Sequence, residues 1–184
     1  MKKTLAYIKN FIKDKHVASV TPSSKFCVKR VCKHIDFSSP RTIVEYGPGT
    51  GVYTRYLLQK LQPGSTVHTF ELNENFVNQL KKIPDQSLHV HHAGAGELDN
   101  ILGESHVGTV DYIISGIPFS FLDDENRSTI LANSYRYLRK GGLFLAYQTS
   151  GHLEEPLKNH FDELSTEFEI LNIPPMVVYK APKL

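Results

Sequence analysis

Apolar residues recur at two spacings along this chain, and each change of spacing marks a new element. Leu5, Ile8 and Ile12 follow a helical period with Tyr7 and Phe11 beside them, while Lys2, Lys3, Lys9, Lys13 and Lys15 fill other positions. That pattern predicts a basic amphipathic helix over residues 2 to 14. Thr21, Pro22, Ser23 and Ser24 read as a turn and N-cap, after which Lys25 to His34 is expected to be helical and carries further basic residues. From Thr42 onward, short apolar runs predict strands at 42–44, 66–72, 88–93, 110–116, 142–148, near 167–173 and at 176–181. Helical spacing predicts helices at 52–61, 74–82, 97–102, 124–139 and 152–163. Such alternation, closed by right-handed crossovers, predicts an α/β fold: a mostly parallel sheet of seven strands with helices on both faces. Pro174 and Pro175 join the last two strands into a hairpin-like pair.

Charge divides the chain more sharply than composition does. The 184 residues, 40% hydrophobic and 22% charged, suit one domain with a proper core. The net charge of +2 conceals nine Lys/Arg against two Asp/Glu in residues 1–40, and twelve against seventeen in residues 41–184. We therefore expect a basic N-terminal region, residues 1–40, on an acidic body, residues 41–184. The basic helix suits either a membrane interface, lysines at anionic headgroups, or packing of its apolar face on the body. No apolar run approaches the roughly 20 residues that span a bilayer, and the first residues lack the features of a signal peptide, so a cytoplasmic location is expected. Cys27 and Cys32 match no zinc spacing and read as core or partly buried thiols. His89 and His91 share a strand face without a completing ligand, which favours a plain strand over a metal site.

Ligands of such sheets bind at the carboxyl ends of the strands. There the first strand runs into Glu45, Tyr46, Gly47, Pro48, Gly49, Thr50 and Gly51. Glycines at alternate positions let the loop turn sharply and a ligand approach its backbone. Val52, Tyr53 and Thr54 follow where a Walker loop needs Lys and Ser/Thr, so the phosphate-loop reading fails. A carboxylate at the turn opposes an anion and welcomes a cation. Glu71, with Leu72 after it, ends the second strand and is suited to accept hydrogen bonds from both hydroxyls of a ribose. The pair points to a cationic nucleoside without phosphates.

With these residues the chain resembles the class I S-adenosylmethionine-dependent methyltransferases, a Rossmann-like fold whose last strand is antiparallel. The resemblance implies S-adenosylmethionine as cofactor, held by Glu45, Tyr46, Gly47, Gly49, Gly51, Glu71, Leu72, Gly94, Ala95 and Ser115, with no metal. Many relatives carry an aspartate where Gly94 and Ala95 stand, so a backbone group of Ala95, or Glu97, is left to hold the adenine. Ser115, Gly116, Ile117, Pro118 and Phe119 are similar to the Asn-Leu-Pro-Phe/Tyr motif of rRNA adenine dimethylases, with serine in place of asparagine. They resemble more closely the Ser-Gly-Ile/Leu-Pro of bacterial phospholipid N-methyltransferases, as do Val17 to Ser24 and the closing Ile173, Pro174, Pro175 and Val177 to Tyr179.

That resemblance implies methylation of the amine of phosphatidylethanolamine by direct displacement, at the inner face of the membrane, which residues 2–15 would engage. Ser115, Gly116, Pro118, Phe119 and Tyr179 are the expected catalytic group, with Tyr53 and Ser24 as covers of the cofactor. A soluble amine or RNA as acceptor, and cofactor binding without catalysis, stay open as alternatives. Nucleic acid is disfavoured, because the extra helical domain of rRNA methylases and an aromatic, basic stacking pattern are both missing. Oligomeric state is left open.

Overall fold

The computed structural model describes residues 23–184. The helix expected over residues 2–14, and Val17 to Pro22, lie outside the described residues. The sheet has seven strands: β1 (Thr42–Tyr46), β2 (Thr66–Glu71), β3 (Leu88–His92), β4 (Val110–Ser115), β5 (Leu138–Gln148), β6 (Ser165–Glu169) and β7 (Met176–Pro182). Their order across the sheet is β3-β2-β1-β4-β5-β7-β6. The pairs among β1 to β5 are parallel, and β7 runs antiparallel to both β5 and β6. This is the expected mostly parallel sheet with one antiparallel strand, the last.

Among the described residues six α-helices flank the sheet: α1 (Lys25–Cys32), α2 (Val52–Leu58), α3 (Glu74–Leu80), α4 (Leu98–Leu102), α5 (Asp124–Tyr137) and α6 (Glu154–Lys158). Alternation of side chains along the strands splits the core in two. Ile43, Tyr112, Ile114 and Leu145 pack with Val28 and Val31 of α1 and with Tyr53 and Leu57 of α2. Val44, Ile113 and Phe144 pack with Leu98 of α4, Leu131 of α5 and Leu157 of α6. Ser24 caps α1, its Oγ accepting the Cys27 N–H at 3.2 Å. Cys27 and Cys32 are free and buried. His89 and His91 share a face, both stacked against His68.

The largest shortfalls against the apolar pattern are at two elements near the end of the chain. The strand read near 167–173 is β6, which ends at Glu169. There the Glu169 carboxylate accepts the Leu171 N–H, and the Asn172 side chain binds the Ser24 N–H and the Pro174 carbonyl. These bonds turn the chain out of the sheet before the next apolar residue can extend it. The helix read at 152–163 is α6, residues 154–158, after which buried Phe161 enters the core as irregular chain.

Candidate functional site

Three left-handed glycines shape the turn after β1. Gly47, Gly49 and Gly51 have φ of +69°, +54° and +79°, values that L side chains rarely adopt. The Gly47 N–H donates to the Phe70 carbonyl and the Gly51 N–H to that of Pro48, both at 2.9 Å, so the turn is tied to β2 and to itself. A Cβ on Gly47 would stand 2.8 Å from Ile117 Cγ2, while one on Gly49 would meet nothing within 4 Å. The turn thus packs against the loop after β4 on one side and opens at Gly49.

Two buried carboxylates support this turn. Glu45 Oε2 accepts the Thr54 hydroxyl of α2 at 2.7 Å, whereas Oε1 is buried with no partner. Burial pushes the Glu45 pKa up to about 7, with Glu71 adding to the rise and Thr54 opposing it. Glu71 accepts the N–H of Gly49 at 3.0 Å and of Asn73 at 2.8 Å. Burial raises its pKa too, and the backbone N–H groups of Asn73, Gly49 and Leu72 work against the rise. Both Glu71 oxygens accept backbone N–H groups and keep acceptor capacity.

The end of β3 joins the same corner. The Ala93 N–H donates to the Glu71 carbonyl, and Gly94 packs beside Leu72, whose side chain would lie 3.6 Å from a Cβ there. Glu97 turns back to accept the Gly94 N–H at 2.9 Å. Glu71, Leu72, Gly94 and Ala95 are therefore neighbours, with Ala95 buried.

Strand register sorts the remaining expected residues by face. Tyr46, Ser115, Ala146 and Tyr179 form one row across β1, β4, β5 and β7. Their side chains share the α4–α6 face, opposite to Glu45. The Tyr46 hydroxyl lies 3.1 Å from Ser134 Oγ inside the core, while its carbonyl accepts the Gly116 N–H at 2.9 Å. Ser115 is fully buried, and its Oγ has no hydrogen-bond partner. Phe119 is buried edge-on to Phe144, and Tyr179, also buried, donates its hydroxyl to the Ser150 carbonyl at 3.2 Å. Pro118 is exposed.

Residues that no motif marked complete the site. A Cβ on Gly116 would lie 2.2 Å from the Tyr147 hydroxyl, so Tyr147 presses directly on this glycine. Its ring stacks on Tyr53 at 4.5 Å and 16°, and the Tyr53 hydroxyl donates to Cys27 Sγ at 3.2 Å. Burial drives the Tyr147 phenol well above its ordinary pKa, the negative charge of Glu45 adds to that, and a hydrogen bond with Ser23 opposes it. Gln148 Nε2 donates to the Ile117 carbonyl at 2.8 Å and pins the Ser115 to Phe119 loop to β5. A tyrosine and glutamine closing an apolar strand carry no sequence signal, since their role depends on β5 lying beside β4. Among the described residues no group of three or more His, Cys, Asp or Glu is arranged to hold a metal ion.

Comparison with known proteins places this geometry. Residues 44–144 match the methyltransferase domain family. The ornithine lipid N-methyltransferase of Singulisphaera acidiphila is 24% identical over 166 residues, 89% of this chain and 86% of that protein. The 1,6-didemethyltoxoflavin-N1-methyltransferase of Burkholderia thailandensis, solved with bound 1,6-didemethyltoxoflavin and S-adenosylhomocysteine, superposes with a TM-score of 0.71 at 16% identity, over 98% of this chain and 87% of that one. A SAM-dependent methyltransferase of Aquifex aeolicus gives a TM-score of 0.66 at 14% identity over 98% of both chains. At these identities the structural likeness concerns the fold.

Proposed function

The chain belongs to the methyltransferase domain family, and from that premise we propose that this S-adenosylmethionine-dependent enzyme methylates the amine of a membrane lipid, phosphatidylethanolamine first. The fully buried Ser115 hydroxyl without a partner, at the head of the Gly116 to Phe119 loop, carries this reading: a buried hydroxyl left unbonded is costly and awaits a polar ligand. The 24% identical relative supports it, being named for methylation of a lipid amine.

The residues present fit the cofactor. The open side of Gly49 accommodates a ligand against the backbone, the unpartnered Glu45 Oε1 suits its ammonium group, and Glu71 has acceptor capacity for ribose hydroxyls. Leu72, Gly94 and Ala95 would flank the adenine. When bound, S-adenosylmethionine supplies a methyl group on a sulfonium, transferred by direct displacement.

The protein's task is to hold the amine in line and dry. An alkylamine has a pKa near about 10, so the site must favour its neutral form. Ser115 Oγ and the Gly116 carbonyl accept its N–H bonds and aim the lone pair, and Gln148 holds their loop still. Pro118 is at the open rim, Phe119 and Tyr179 support the loop from the core, and Tyr147 forms the opposite wall. We place the reaction at the inner face of the membrane, with residues 2–15 holding the anionic surface.

Mass spectrometry of lipids from cells expressing the protein tests the reading. A gain of whole methyl groups on phosphatidylethanolamine is expected. A gain confined to an amino-acid-headed lipid would move the substrate within the lipid class, and unchanged lipids with a methylated soluble amine or RNA would refute a lipid acceptor.

A further inference from the structure

The tip of the β6–β7 hairpin has its polarity inverted. Phe168, Ile170, Leu171 and Ile173 are exposed to 67, 73, 57 and 80%. The polar groups of the same segment turn inward: Glu169 takes Arg30 Nε at 2.8 Å and the Leu171 N–H at 2.9 Å, and buried Asn172 binds Ser24 and Pro174. A tip made for water would be arranged the other way round. Contiguous exposed apolar surface of this kind marks a contact with a partner or a membrane.

The position of the tip selects between these. Val177, just past the tip, pairs with Gln148 at the end of β5, so the tip stands at the end of the sheet where the parallel strands finish. The glycine turn and the Ser115 to Phe119 loop open at that same end. Ser24 ties the start of α1 to the tip, and there Phe26 is 54% exposed with the exposed ammonium groups of Lys25 beside it and Lys29 one turn on. Apolar side chains rimmed by lysines complement an anionic lipid surface.

We propose that this tip is a membrane-docking wedge: Ile170, Leu171 and Ile173 enter the interfacial layer of an anionic bilayer while Lys25 and Lys29 meet lipid phosphates. The choice of a bilayer as occupant rests on the lipid-amine reading above. Docked in this way, the carboxyl end of the sheet faces the headgroups, and a lipid amine reaches Ser115 without leaving its leaflet. The wedge is a contact separate from residues 2–15.

The chain contains no tryptophan, so Ile173→Trp in the full-length protein supplies a single reporter. Its emission is expected to shift to the blue on adding phosphatidylglycerol-containing vesicles, and the double variant Ile170→Asp/Leu171→Asp is expected to lose at least tenfold in vesicle partitioning. S-adenosylmethionine affinity of the double variant, measured by calorimetry, should stay unchanged, which excludes a folding defect. No blue shift, or undiminished partitioning, overturns the wedge. So does emission already blue-shifted without vesicles and restored by deleting residues 1–15, which would seat the chain's own N-terminal segment there. Conversion of a dimer to a monomer by the aspartates, with vesicle binding intact, would make the tip an interface between copies. The substrate reading fails separately: a blue shift with no lipid amine methylated leaves the wedge and removes the substrate.

Discussion

Burial of Glu45 behind the glycine turn raises its pKa to about 7, from an ordinary 4.5, and this has a defined pH signature. Because the folded value lies above the unfolded one, the stability linked to this proton is complete below about pH 4.5 and is lost as pH rises through about 7. A shift of that size corresponds to roughly 3 kcal/mol. Glu45→Gln keeps an acceptor for Thr54 but cannot ionise, so its thermal midpoint should match the wild type near pH 4.5 and exceed it at pH 8. Parallel midpoints across that range would show that Glu45 does not titrate there. If, as proposed, the ammonium of S-adenosylmethionine sits beside Oε1, bound cofactor should remove the difference by favouring the ionised wild-type carboxylate. Gly116 answers to sterics instead. With Tyr147 Oη 2.2 Å from where its Cβ would stand, Gly116→Ala overpacks the site. We expect a loss of about 1–3 kcal/mol in urea denaturation, reduced when Tyr147→Ala removes the obstructing ring. Equal losses in both backgrounds would mean that the strain is relieved elsewhere.

Between residues and fold, the loop after β4 works as an element, and Gln148 is its clamp. Replacing Gln148 with leucine keeps the size but frees the Ile117 and Tyr147 carbonyls, at a cost of about 1–3 kcal/mol for two hydrogen bonds. Because the loop is assigned to the acceptor and the glycine turn to the cofactor, KM for the amine should rise up to about tenfold with calorimetric S-adenosylmethionine affinity unchanged. An equal loss of both would merge the two subsites. This division also explains what the sequence discloses. Glu45, Gly47, Gly49, Gly51 and Glu71 are legible because each is contiguous with the strand that ends at it, so the local apolar run already points to its position. Tyr147 and Gln148 are not, because each acts on a neighbour brought in by register, as Ser115 opposite Ala146 brings Tyr147 to Gly116. The succession of strands and helices follows from periodicity in the same way, whereas the end of β6 depends on Ser24 and Arg30, far away in the chain. Apolar pattern alone carried that strand to 173.

At the scale of the molecule, the basic N-terminal region and the acidic body are partly reconciled within the fold. Arg30 of α1 and Lys33 just after it pair with Glu167 and Glu169 of β6, and His34 approaches Glu167 as well. Those cations are therefore spent on fixing α1 to the sheet edge, next to the apolar tip. Among the described cations of that region, Lys25 and Lys29 are exposed and left to meet an anionic surface, and the sequence adds lysines at 2, 3, 9, 13 and 15. The proposals thus comprise two membrane contacts of different physics, one largely electrostatic through residues 2–15 and one largely apolar through Ile170, Leu171 and Ile173. Salt separates them, since the screening length falls from about 10 Å at 0.1 M to about 3 Å at 1 M while burial of apolar surface is unweakened. Deleting residues 1–15 should leave the thermal midpoint and S-adenosylmethionine affinity unchanged while lowering partitioning onto phosphatidylglycerol vesicles at low salt. At 1 M salt the full chain and the truncated chain should partition alike, and the aspartate pair at the tip should then abolish what binding persists. If salt alone removed all binding, the tip would contribute nothing. If the truncated chain bound as well as the full one at low salt, residues 2–15 would instead pack on the domain, and the membrane contact would belong to the hairpin and the start of α1.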